Sequence, residues 1–266
     1  MRLVIKIGGT LLDAKDVRAR VAQQLAQVAH AHQIVVVHGG GKQVTQFLQE
    51  RGVQSRFVSG LRVSDEAVMD AVTKVIAGGV NKQLVAALIA AGQRAVGLSG
   101  IDGLLTTATA LDPALEFVGR PEHTDARLLE LLTSSGYLPV IACIAADERG
   151  VLYNVNADQM AVSVAAAWRP EKLLFLTDVA GVKDRKGEVL PQLTVQDASE
   201  LVRSGVATGG MQAKLEAASR ALEAGIAEVL IVPGHEPDIC TRALAGQQTG
   251  TRLTLHRTAS RETILT

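Results

Sequence analysis

Aromatic residues are scarce in this chain of 266 residues, which holds four Phe, two Tyr and one Trp. Single-stranded nucleic acids are usually bound on stacked aromatic side chains, so this scarcity argues against such a partner. The 27 Lys and Arg residues balance 27 Asp and Glu residues, and the sequence contains no basic arm or stripe. We therefore expect no nucleic acid among the partners of this protein.

Cysteines and long apolar runs are also nearly missing. Cys143 and Cys240 stand alone, without the spacing of metal ligands, which predicts buried reduced thiols rather than a disulfide or a zinc site. No apolar run approaches the roughly 18 to 20 residues of a membrane span. Residues 1–6 are charged too early and apolar too briefly for a secretory signal. We expect a cytoplasmic protein that does not bind membranes.

The chain is instead rich in aliphatic residues, with 47% hydrophobic against 20% charged residues. This composition can form a sizeable core, which excludes a disordered protein. Short β-branched runs alternate with longer amphipathic segments, a pattern typical of βαβ units around a buried parallel sheet. The alternation restarts near residue 147, and no Pro- or Ser-rich linker separates the halves. We predict an α/β protein, namely a three-layer α/β/α sandwich with a mainly parallel central sheet shared by two lobes.

The predicted lobes are residues 1–146 and 147–255, followed by a polar tail over 256–266. The strands are predicted at residues 3–7, 34–37, 95–98, 138–144, 172–176, 228–232 and 251–255, with a hairpin-like insert near 104–118. The helices are predicted from periodic apolar positions at 16–32, 41–50, 65–77, 80–91, 125–135, 156–168, 195–203, 210–224 and 237–245.

Two glycine clusters follow predicted strands and lead into helices, Gly8-Gly9 and Gly39-Gly40-Gly41. Ligands collect at the carboxyl edge of an open parallel sheet, where glycine lets backbone N–H groups approach an anion. A tight strand-to-helix turn is the alternative explanation for either cluster alone. Neither cluster has the spacing of a Walker loop or of Gly-x-Gly-x-x-Gly, which disfavours a Rossmann dehydrogenase.

Two lysines stand near glycines in the same way. Lys6 lies inside an apolar strand, where an ammonium is costly without an anionic partner, although snorkelling at the strand end is an alternative. Lys214 follows the glycine-rich segment at Thr208, Gly209 and Gly210, and an ordinary solvated helix lysine is the alternative there. Both are candidates for binding an anion.

Polar residues also gather at other predicted strand ends. Two amides and a carboxylate, Asn154, Asn156 and Asp158, precede an apolar helix, and N-capping accounts for one of the three. The segment 176–182 follows another strand and is alternatively a turn with an Asx cap. Arg62 lies in a loop and can bind a carboxylate with its guanidinium fork.

In this order the segments resemble the amino acid kinase family, and within it the kinases of acetylglutamate. The resemblance extends from about residue 3 to residue 255, and the ordered set is far more specific than any single motif. The matching stretches are 6–9 (Lys-Ile-Gly-Gly), 37–41 (Val-His-Gly-Gly-Gly), 60–63 (Gly-Leu-Arg-Val), 81–82 (Asn-Lys), 96–100 (Val-Gly-Leu-Ser-Gly), 136–140 (Gly-Tyr-Leu-Pro-Val), 154–158 (Asn-Val-Asn-Ala-Asp), 176–179 (Leu-Thr-Asp-Val) and 209–211 with Lys214.

The resemblance implies ATP-dependent phosphorylation of the side-chain carboxylate of N-acetyl-L-glutamate in arginine biosynthesis. It also implies Mg²⁺ that is coordinated by the phosphates, with no protein residue named as a metal ligand. The N-terminal lobe would bind the amino acid and the C-terminal lobe the nucleotide. By resemblance the catalytic residues are Lys6, Lys214 and Asp158. The substrate-binding residues are Gly40, Gly41, Arg62 and Asn154. The nucleotide-binding residues are Gly8, Gly9, Thr177, Asp178, Val179, Gly181, Lys183, Thr208, Gly209 and Gly210.

Two other functions fit the same family. One is a sister kinase whose glutamate or aminoadipate is attached to an acidic carrier protein, although a net charge of zero offers no basic platform for it. The other is a ligand sensor without turnover, which would not need Lys6, Lys214 and Asp158 together. Where family members commonly have Ile-Pro, this chain has Gln212 and Ala213, which predicts a looser loop before Lys214.

The resemblance also implies an assembly. Arginine-inhibited relatives carry an extra N-terminal helix that links dimers into a ring, whereas the first strand here is predicted at residue 3. We therefore expect a homodimer that is insensitive to arginine.

Overall fold

The computed structural model describes residues 1–58 and 60–256, so the predicted tail lies almost entirely outside the described residues. The strands, numbered along the chain, are β1 (Arg2–Ile7), β2 (Gln33–His38), β3 (Phe57–Val58), β4 (Leu61–Arg62), β5 (Ala95–Ser99), β6 (Thr106–Ala110), β7 (Val118–Thr124), β8 (Leu138–Ala142), β9 (Ile144–Ala146), β10 (Leu152–Val155), β11 (Lys172–Thr177), β12 (Gln192–Thr194), β13 (Glu228–Pro233) and β14 (Thr251–Thr254). The α-helices are α1 (Lys15–Ala29), α2 (Gly41–Gln49), α3 (Glu66–Val72), α4 (Asn81–Ala90), α5 (Arg127–Ser134), α6 (Ala157–Trp168), α7 (Val195–Arg203), α8 (Gly209–Glu223) and α9 (Ile239–Leu244).

Eight strands form one central sheet in the order β12-β14-β13-β11-β1-β2-β8-β5. Neighbouring strands are parallel except for the antiparallel pair β13 and β14. Strands β1, β2, β5 and β8 come from the first half of the chain and the other four from the second half. The prediction of a mainly parallel sheet common to both halves is therefore confirmed.

Side chains alternate between the two faces of this sheet and fill a separate core on each. In β1, Val4 belongs to the core on one face, whereas Leu3, Ile5 and Ile7 belong to the core on the other. Both faces are covered by helices, so the strands are apolar almost throughout, as expected of a parallel sheet between two helical layers. Lys6 breaks this pattern on the face of Val4 and is 7% exposed.

A second, smaller sheet contains the hairpin that was predicted near residues 104–118, formed by β6 and β7. Its closure with β9 and β10 was not predicted. Strands β10, β7, β6 and β9 pair in that order and close on themselves. The prediction of one strand over residues 138–144 is wrong at its end, because the chain leaves the central sheet after Ala142 and pairs with β10 from Ile144 onwards. Cys143 lies at this transfer point, which sets it beside the carboxyl edge of the central sheet.

The predicted break between helices at residues 78–79 is also wrong. Helices α3 and α4 are joined by a π-helical segment, Thr73–Val80, which contains Gly78 and Gly79 at the predicted break. The resulting run, Glu66–Ala90, has the length and hydropathy of a membrane span, which the sequence analysis missed. Core helices of soluble proteins pass the same test, and here Leu84 and Leu88 are fully buried in the core that also contains residues of α1.

Candidate active site

Three ionised side chains meet at the carboxyl edge of the central sheet. Lys6 Nζ lies 2.8 Å from Asp158 Oδ1, and Lys214 Nζ lies 3.2 Å from Asp158 Oδ2. The lysines come from β1 and α8, whereas the aspartate belongs to the first turn of α6. The structure thus brings together all three predicted catalytic residues, and one carboxylate bridges two ammonium groups.

Burial and the neighbouring charges determine the protonation of this cluster. Burial acts to raise the pKa of Asp158, but the ammonium groups of Lys6 and Lys214 outweigh it, so the pKa of the carboxyl is lowered. The pKa of Lys214 is also lowered, chiefly by burial and then by the charge of Lys6. Asp158 is therefore ionised at neutral pH, and the cluster carries one positive charge more than it has negative charges.

A cavity of about 240 Å³ opens beside this cluster and is lined by predicted catalytic residues and by predicted substrate-binding residues. Lys6 and Asp158 line it together with Arg62 and Asn154. The glycines Gly39, Gly40 and Gly41, Cys143 of the strand transfer, and apolar side chains such as Ile76 complete the lining. The structure therefore places the four predicted substrate-binding residues around one cavity that contains two of the predicted catalytic residues.

The glycine turn after β2 has a packing requirement of its own. A Cβ on Gly40 would lie 3.1 Å from Ile76 Cγ1 and 3.5 Å from Val80 Cγ2, both in the π-helical segment. A Cβ on Gly39 would lie 3.3 Å from that of Ala157, at the start of α6. A side chain at either position would therefore require the neighbouring helix to move by a few tenths of an ångström. The glycines of the turn line the cavity with backbone atoms alone.

Arg62 is a buried cation without an anionic partner among the described residues. Its guanidinium donates to Gly41 O at 2.8 Å and to Thr45 Oγ1 at 2.6 Å. A third hydrogen bond goes to Ser55 Oγ, and the group stacks over Phe57 with 4.7 Å to the ring centroid. Burial lowers the pKa of Arg62. A guanidinium held so firmly beside a cavity, without a carboxylate of its own, is suited to bind one from a ligand.

The two amides before α6 have separate tasks. Asn156 caps the helix, since its Oδ1 accepts from the backbone N of Asp158 at 2.8 Å and of Gln159 at 3.2 Å. Asn154, on β10, donates to Ser64 Oγ at 3.1 Å and lines the cavity. The capping explanation therefore holds for Asn156 alone, and Asn154 remains available to a ligand.

The predicted nucleotide-binding residues lie on three loops next to the cluster. Gly8 and Gly9 follow β1, and the Gly8 N–H donates to Leu176 O at 2.9 Å, which ties this loop to the end of β11. Thr177 ends β11 and its hydroxyl closes a turn with Val179. The pKa of Lys214 is lowered chiefly by burial, and the neighbouring Asp178 carboxylate weakly opposes this, so the two groups are within electrostatic reach.

The third loop begins α8 and has an open surface. Thr208 is the N-cap residue but makes no capping hydrogen bond with its side chain. A Cβ on Gly209 or Gly210 would meet nothing within 4 Å. Gln212 is already helical and donates to Glu216 at 2.9 Å, so the residues that replace Ile-Pro continue the helix.

Two of the predicted nucleotide-binding residues have a structural explanation. Gly181 has a φ of +153°, and a Cβ there would lie 2.8 Å from Thr251 Oγ1 and from Val189 Cγ1. Lys183 pairs through its backbone with Val189 in an antiparallel bridge. These contacts account for the turn after β11 without a ligand.

The sequence analysis missed a link between the first two glycine loops. Lys42 Nζ lies 2.7 Å from Asp13 Oδ2, and Gln43 Nε2 donates to Asp13 Oδ1 at 2.6 Å. It also missed His38 and Asn81, which are buried behind the turn at residues 39–41. Both stand within matched motifs, and the only signal was that each is a polar residue beside an apolar strand or helix.

No cluster of metal ligands stands at this site. In residues 1–58 and 60–256, no group of three or more His, Cys, Asp or Glu side chains could hold a metal ion.

The chain is similar to known proteins along nearly its whole length. The sequence model of the amino acid kinase family matches residues 1–233. An acetylglutamate kinase from Solibacter usitatus is 52% identical over 95% of this chain and 99% of that protein. One from Roseobacter denitrificans is 43% identical over 90% of this chain and 83% of that protein. A crystal structure of a protein from Streptococcus mutans UA159, 30% identical, superposes with a TM-score of 0.83 over 96% of this chain and 99% of that chain.

Proposed function

The chain belongs to the amino acid kinase family, and from that premise we propose that it transfers the γ-phosphoryl group of ATP to the side-chain carboxylate of N-acetyl-L-glutamate. The product is N-acetyl-L-glutamyl 5-phosphate, an acyl phosphate of arginine biosynthesis. Relatives named acetylglutamate kinase, 40 to 52% identical over most of the chain, support this acceptor. No observation favours the carrier-bound acceptor or the sensor without turnover.

This function rests on the pair of ammonium groups that share one carboxylate beside the cavity. An acceptor carboxylate is already ionised at neutral pH and needs no general base. Phosphoryl transfer then depends on in-line positioning and on neutralisation of the charge around the transferred group. Lys6 and Lys214 offer two cations for that purpose, and Asp158 fixes the position of both.

Each residue of the cluster has a distinct proposed role. Lys6 and Lys214 bind the oxygens of the transferring phosphoryl group, where their charge stabilises the transition state more than the ground state. Asp158 orients the two ammonium groups, and its negative charge partly opposes the lowering of the pKa of Lys214 by burial and by Lys6. The backbone of Gly8, Gly9 and Gly40 lies around the same oxygens; the Gly8 N–H is itself bonded to Leu176 O, so Gly8 contributes space for the phosphoryl group and not a donor.

The amino acid is proposed to bind along the cavity. Arg62 binds the α-carboxylate, because its buried guanidinium lacks an anionic partner among the described residues and is fixed by Thr45 and Ser55. Asn154 binds the acetamido group, which presents one donor and one acceptor to an amide. Gly40 and Gly41 form the wall of the cavity without side chains that would occupy it.

The nucleotide is proposed to bind over the loops after β1 and β11 and before α8. The open N-terminus of α8 presents backbone N–H groups to phosphate, as helix N-termini commonly do. This set comprises Gly8, Gly9, Thr177, Asp178, Val179, Gly181, Lys183, Thr208, Gly209 and Gly210. The nucleotide enters as its Mg²⁺ complex, and the described residues offer no carboxylate cluster that would hold the ion separately.

We propose, as the resemblance implies, that the N-terminal lobe binds the amino acid and the C-terminal lobe binds the nucleotide. Residues 1–146 supply most of the cavity for the amino acid, which Asn154 and Asp158 of the second lobe complete. Residues 147–255 supply the loops for ATP after β11 and before α8, which Gly8 and Gly9 of the first lobe complete. Lys6 and Lys214 belong to different lobes, so the cluster at Asp158 joins the two binding sites.

We also propose a homodimer formed by the N-terminal lobe. Strand β5 is the edge of the central sheet and pairs with β8 only. The adjacent helical run Glu66–Ala90 is apolar, yet only 39% of its most apolar window is buried. Ile89 of α4 is 57% exposed. A second copy would cover this edge and this helix face, and equilibrium sedimentation measures the resulting mass.

A cytoplasmic location is proposed on chemical grounds. Both cysteines are buried free thiols, and burial raises the pKa of each to about 12. Free thiols without a disulfide are typical of a reducing compartment, where ATP is also abundant.

The function is tested by ADP release from Mg-ATP with N-acetyl-L-glutamate, L-glutamate, N-acetyl-L-aspartate and L-aminoadipate offered separately. Hydroxylamine is added to trap an acyl phosphate as its hydroxamate. We expect turnover with N-acetyl-L-glutamate, together with an equal amount of hydroxamate. ADP release without hydroxamate, or silence with every acceptor, would refute the proposed reaction.

A further inference from the structure

Two buried polar residues behind the glycine turn have no part in the mechanism above. His38 ends β2, directly before Gly39, and is 0% exposed. Asn81 begins α4 and is 1% exposed. Their side chains touch, with 3.0 Å between Asn81 Nδ2 and His38 Nε2. Buried polar groups that bond to each other favour one arrangement of the segments that carry them; among the described residues, Asn81 Oδ1 alone of this pair's side-chain polar atoms has no hydrogen-bond partner.

The hydrogen bonds fix the protonation of the histidine. His38 Nδ1 lies 2.8 Å from Gly39 O, and because a carbonyl oxygen can only accept, Nδ1 carries the proton. Nε2 is then free to accept from Asn81. Burial lowers the pKa of His38 to about 4, so the ring is neutral at physiological pH and keeps this tautomer.

Asn81 connects the helical run to the carboxyl edge of the sheet. Besides His38, its amide nitrogen donates to Val140 O of β8 at 2.9 Å. Leu98 O of β5 lies 3.3 Å from the same nitrogen and shares one of its two hydrogens. Both acceptors are carbonyl oxygens, which confirms the orientation of the amide. A Cβ on Gly97 would lie 2.0 Å from Asn81 Oδ1, so glycine at that position makes room for the amide.

The same helical run closes on the glycine turn from the other side. Asn81 directly follows the π-helical segment Thr73–Val80, from which Ile76 and Val80 pack against Gly40. The imidazole of His38 thus holds the turn at Gly39 O, and the side chains of Ile76 and Val80 pack over Gly40. Asn81 attaches the helical run that carries these two side chains to the central sheet. A π-helical segment inside an α-helix is frequently found at a functional site.

We propose that His38 and Asn81 are positioning residues for phosphoryl transfer, which hold the turn Gly39-Gly40-Gly41 so that its backbone N–H groups meet the reacting oxygens. This inference rests on the proposed function. Neither residue lines the cavity, so both act through the backbone of the turn. Misplacement of a reacting group by about 1 Å can cost on the order of 100-fold in rate.

The test compares Asn81→Leu and His38→Asn with the matched control Gln24→Leu. Gln24 is a buried amide whose Oε1 accepts from Ile239 N at 3.0 Å, between α1 and α9 and away from the cavity. All three substitutions remove buried hydrogen bonds and lower the melting temperature. His38→Asn keeps a donor near Gly39 O but is too short to reach Asn81. We expect kcat to fall about 10- to 100-fold in the first two variants, with KM for both substrates within about threefold, and kcat of the control to stay near that of the wild type.

A second readout does not depend on activity. Backbone ¹⁵N order parameters of Gly40 and Gly41, measured by NMR, are expected to fall from about 0.85 toward 0.6 in Asn81→Leu and to stay unchanged in Gln24→Leu. A folded Asn81→Leu with wild-type kcat, or with unchanged order parameters at the turn, would overturn the inference. If the wild type shows no turnover with N-acetyl-L-glutamate, the proposed function fails by itself, and the order parameters still decide whether the pair holds the turn.

Discussion

Lys6 and Lys214 bind opposite oxygens of a single carboxylate, at 2.8 Å and 3.2 Å from Asp158. One lysine belongs to the first strand of the chain and the other to the helix α8, so the contact joins the two halves of the protein. Two like charges this close are tolerated because the carboxylate lies between them. A transferring phosphoryl group provides a second anion for the same two cations.

Lys6→Met and Lys214→Met each remove one of these cations while keeping much of the side-chain volume. Loss of one preorganised electrostatic contact typically costs about 10²- to 10³-fold in rate. We expect kcat to fall by that factor in either variant, with a smaller change in KM, as measured by coupled ADP release. Lys15→Met, at the exposed start of α1, serves as the control. A near-normal kcat in both lysine variants would contradict the assignment.

The pH profile of kcat tests the protonation of Lys214. Its pKa is lowered from 10.5, chiefly by burial and then by Lys6. The ammonium form is needed for charge neutralisation, so activity is expected to decline on the alkaline side at a pH below 10.5. In Lys214→Arg this decline is expected to disappear, since a guanidinium stays protonated throughout the range. The same alkaline limb in both proteins would assign the titration to another group.

Asp158→Asn is expected to destabilise the protein as well as slow the reaction. Loss of one partner from a buried ion pair typically costs about 3 kcal/mol or more, because it leaves a buried charge uncompensated. The pKa of Asp158 is lowered from 3.8 on folding, so its carboxylate stabilises the folded state above pH 3.8. This contribution is lost as the pH falls through the folded pKa.

Urea unfolding at several pH values measures that contribution. The difference in the free energy of unfolding between wild type and Asp158→Asn is expected to be largest near neutral pH and to shrink below pH 3.8. Other carboxylates titrate in the same range, but they are common to both proteins and cancel in the difference. A difference that does not change with pH would show that the carboxylate charge contributes nothing to stability.

Gly40→Ala tests the close approach of the π-helical segment to the glycine turn. The new Cβ would lie 3.1 Å from Ile76 Cγ1, so either the turn or the helix must shift. We expect kcat/KM for N-acetyl-L-glutamate to fall about 10-fold or more, from displacement of the turn. The double variant with Ile76→Ala removes the clashing atom and is expected to recover part of this loss.

Gly78→Ala provides the control for that experiment, because a Cβ there meets nothing within 4 Å. It adds one methyl group to the helical run that contains Ile76 and leaves the turn unchanged. An equal loss of activity in both single variants would attribute the effect to the helix rather than to the contact with Ile76.

Arg62→Lys tests the recognition of the α-carboxylate. A lysine keeps the charge but cannot present two parallel N–H groups or stack over Phe57 in the same way. A hydrogen bond to a charged group contributes roughly 1.5 to 3 kcal/mol, which corresponds to about 10- to 100-fold in binding. We expect KM for N-acetyl-L-glutamate to rise by that factor and KM for ATP to stay unchanged, with exposed Arg203→Lys as the control. An equal rise in both KM values would place Arg62 outside the amino-acid site.

The sequence by itself determined the order along the chain of the nine α-helices of the described residues and of seven of the eight central-sheet strands, all but β12, and it determined the family. Short β-branched runs such as residues 34–37 form strands because they are buried on both faces of a parallel sheet. Such burial requires a continuous apolar run, which is visible in the sequence without an alignment. The helix α6 likewise follows from an Asn cap and a run of small apolar residues. The glycine turns were predicted because they follow strands that the pattern locates well.

Tertiary structure decided where the chain departs from those local rules. Residues 78–79 are glycines, which favour a break, yet packing of Leu84 and Leu88 into the core keeps the helical run continuous. Cys143 carries no local signal of a strand transfer, which depends on pairing with β10. The contact of His38 with Asn81 joins segments far apart in sequence, and neither residue is unusual in its own surroundings.

The cluster of charges shows both contributions. Lys6, Asp158 and Lys214 each stood out locally, as polar groups in apolar strands or beside glycines, and each also had an ordinary local explanation. Their meeting required the parallel register that sets β1 beside β11, together with the packing of α6 and α8 on that edge of the sheet. Electrostatic energy depends on distance in space, which sequence separation does not encode.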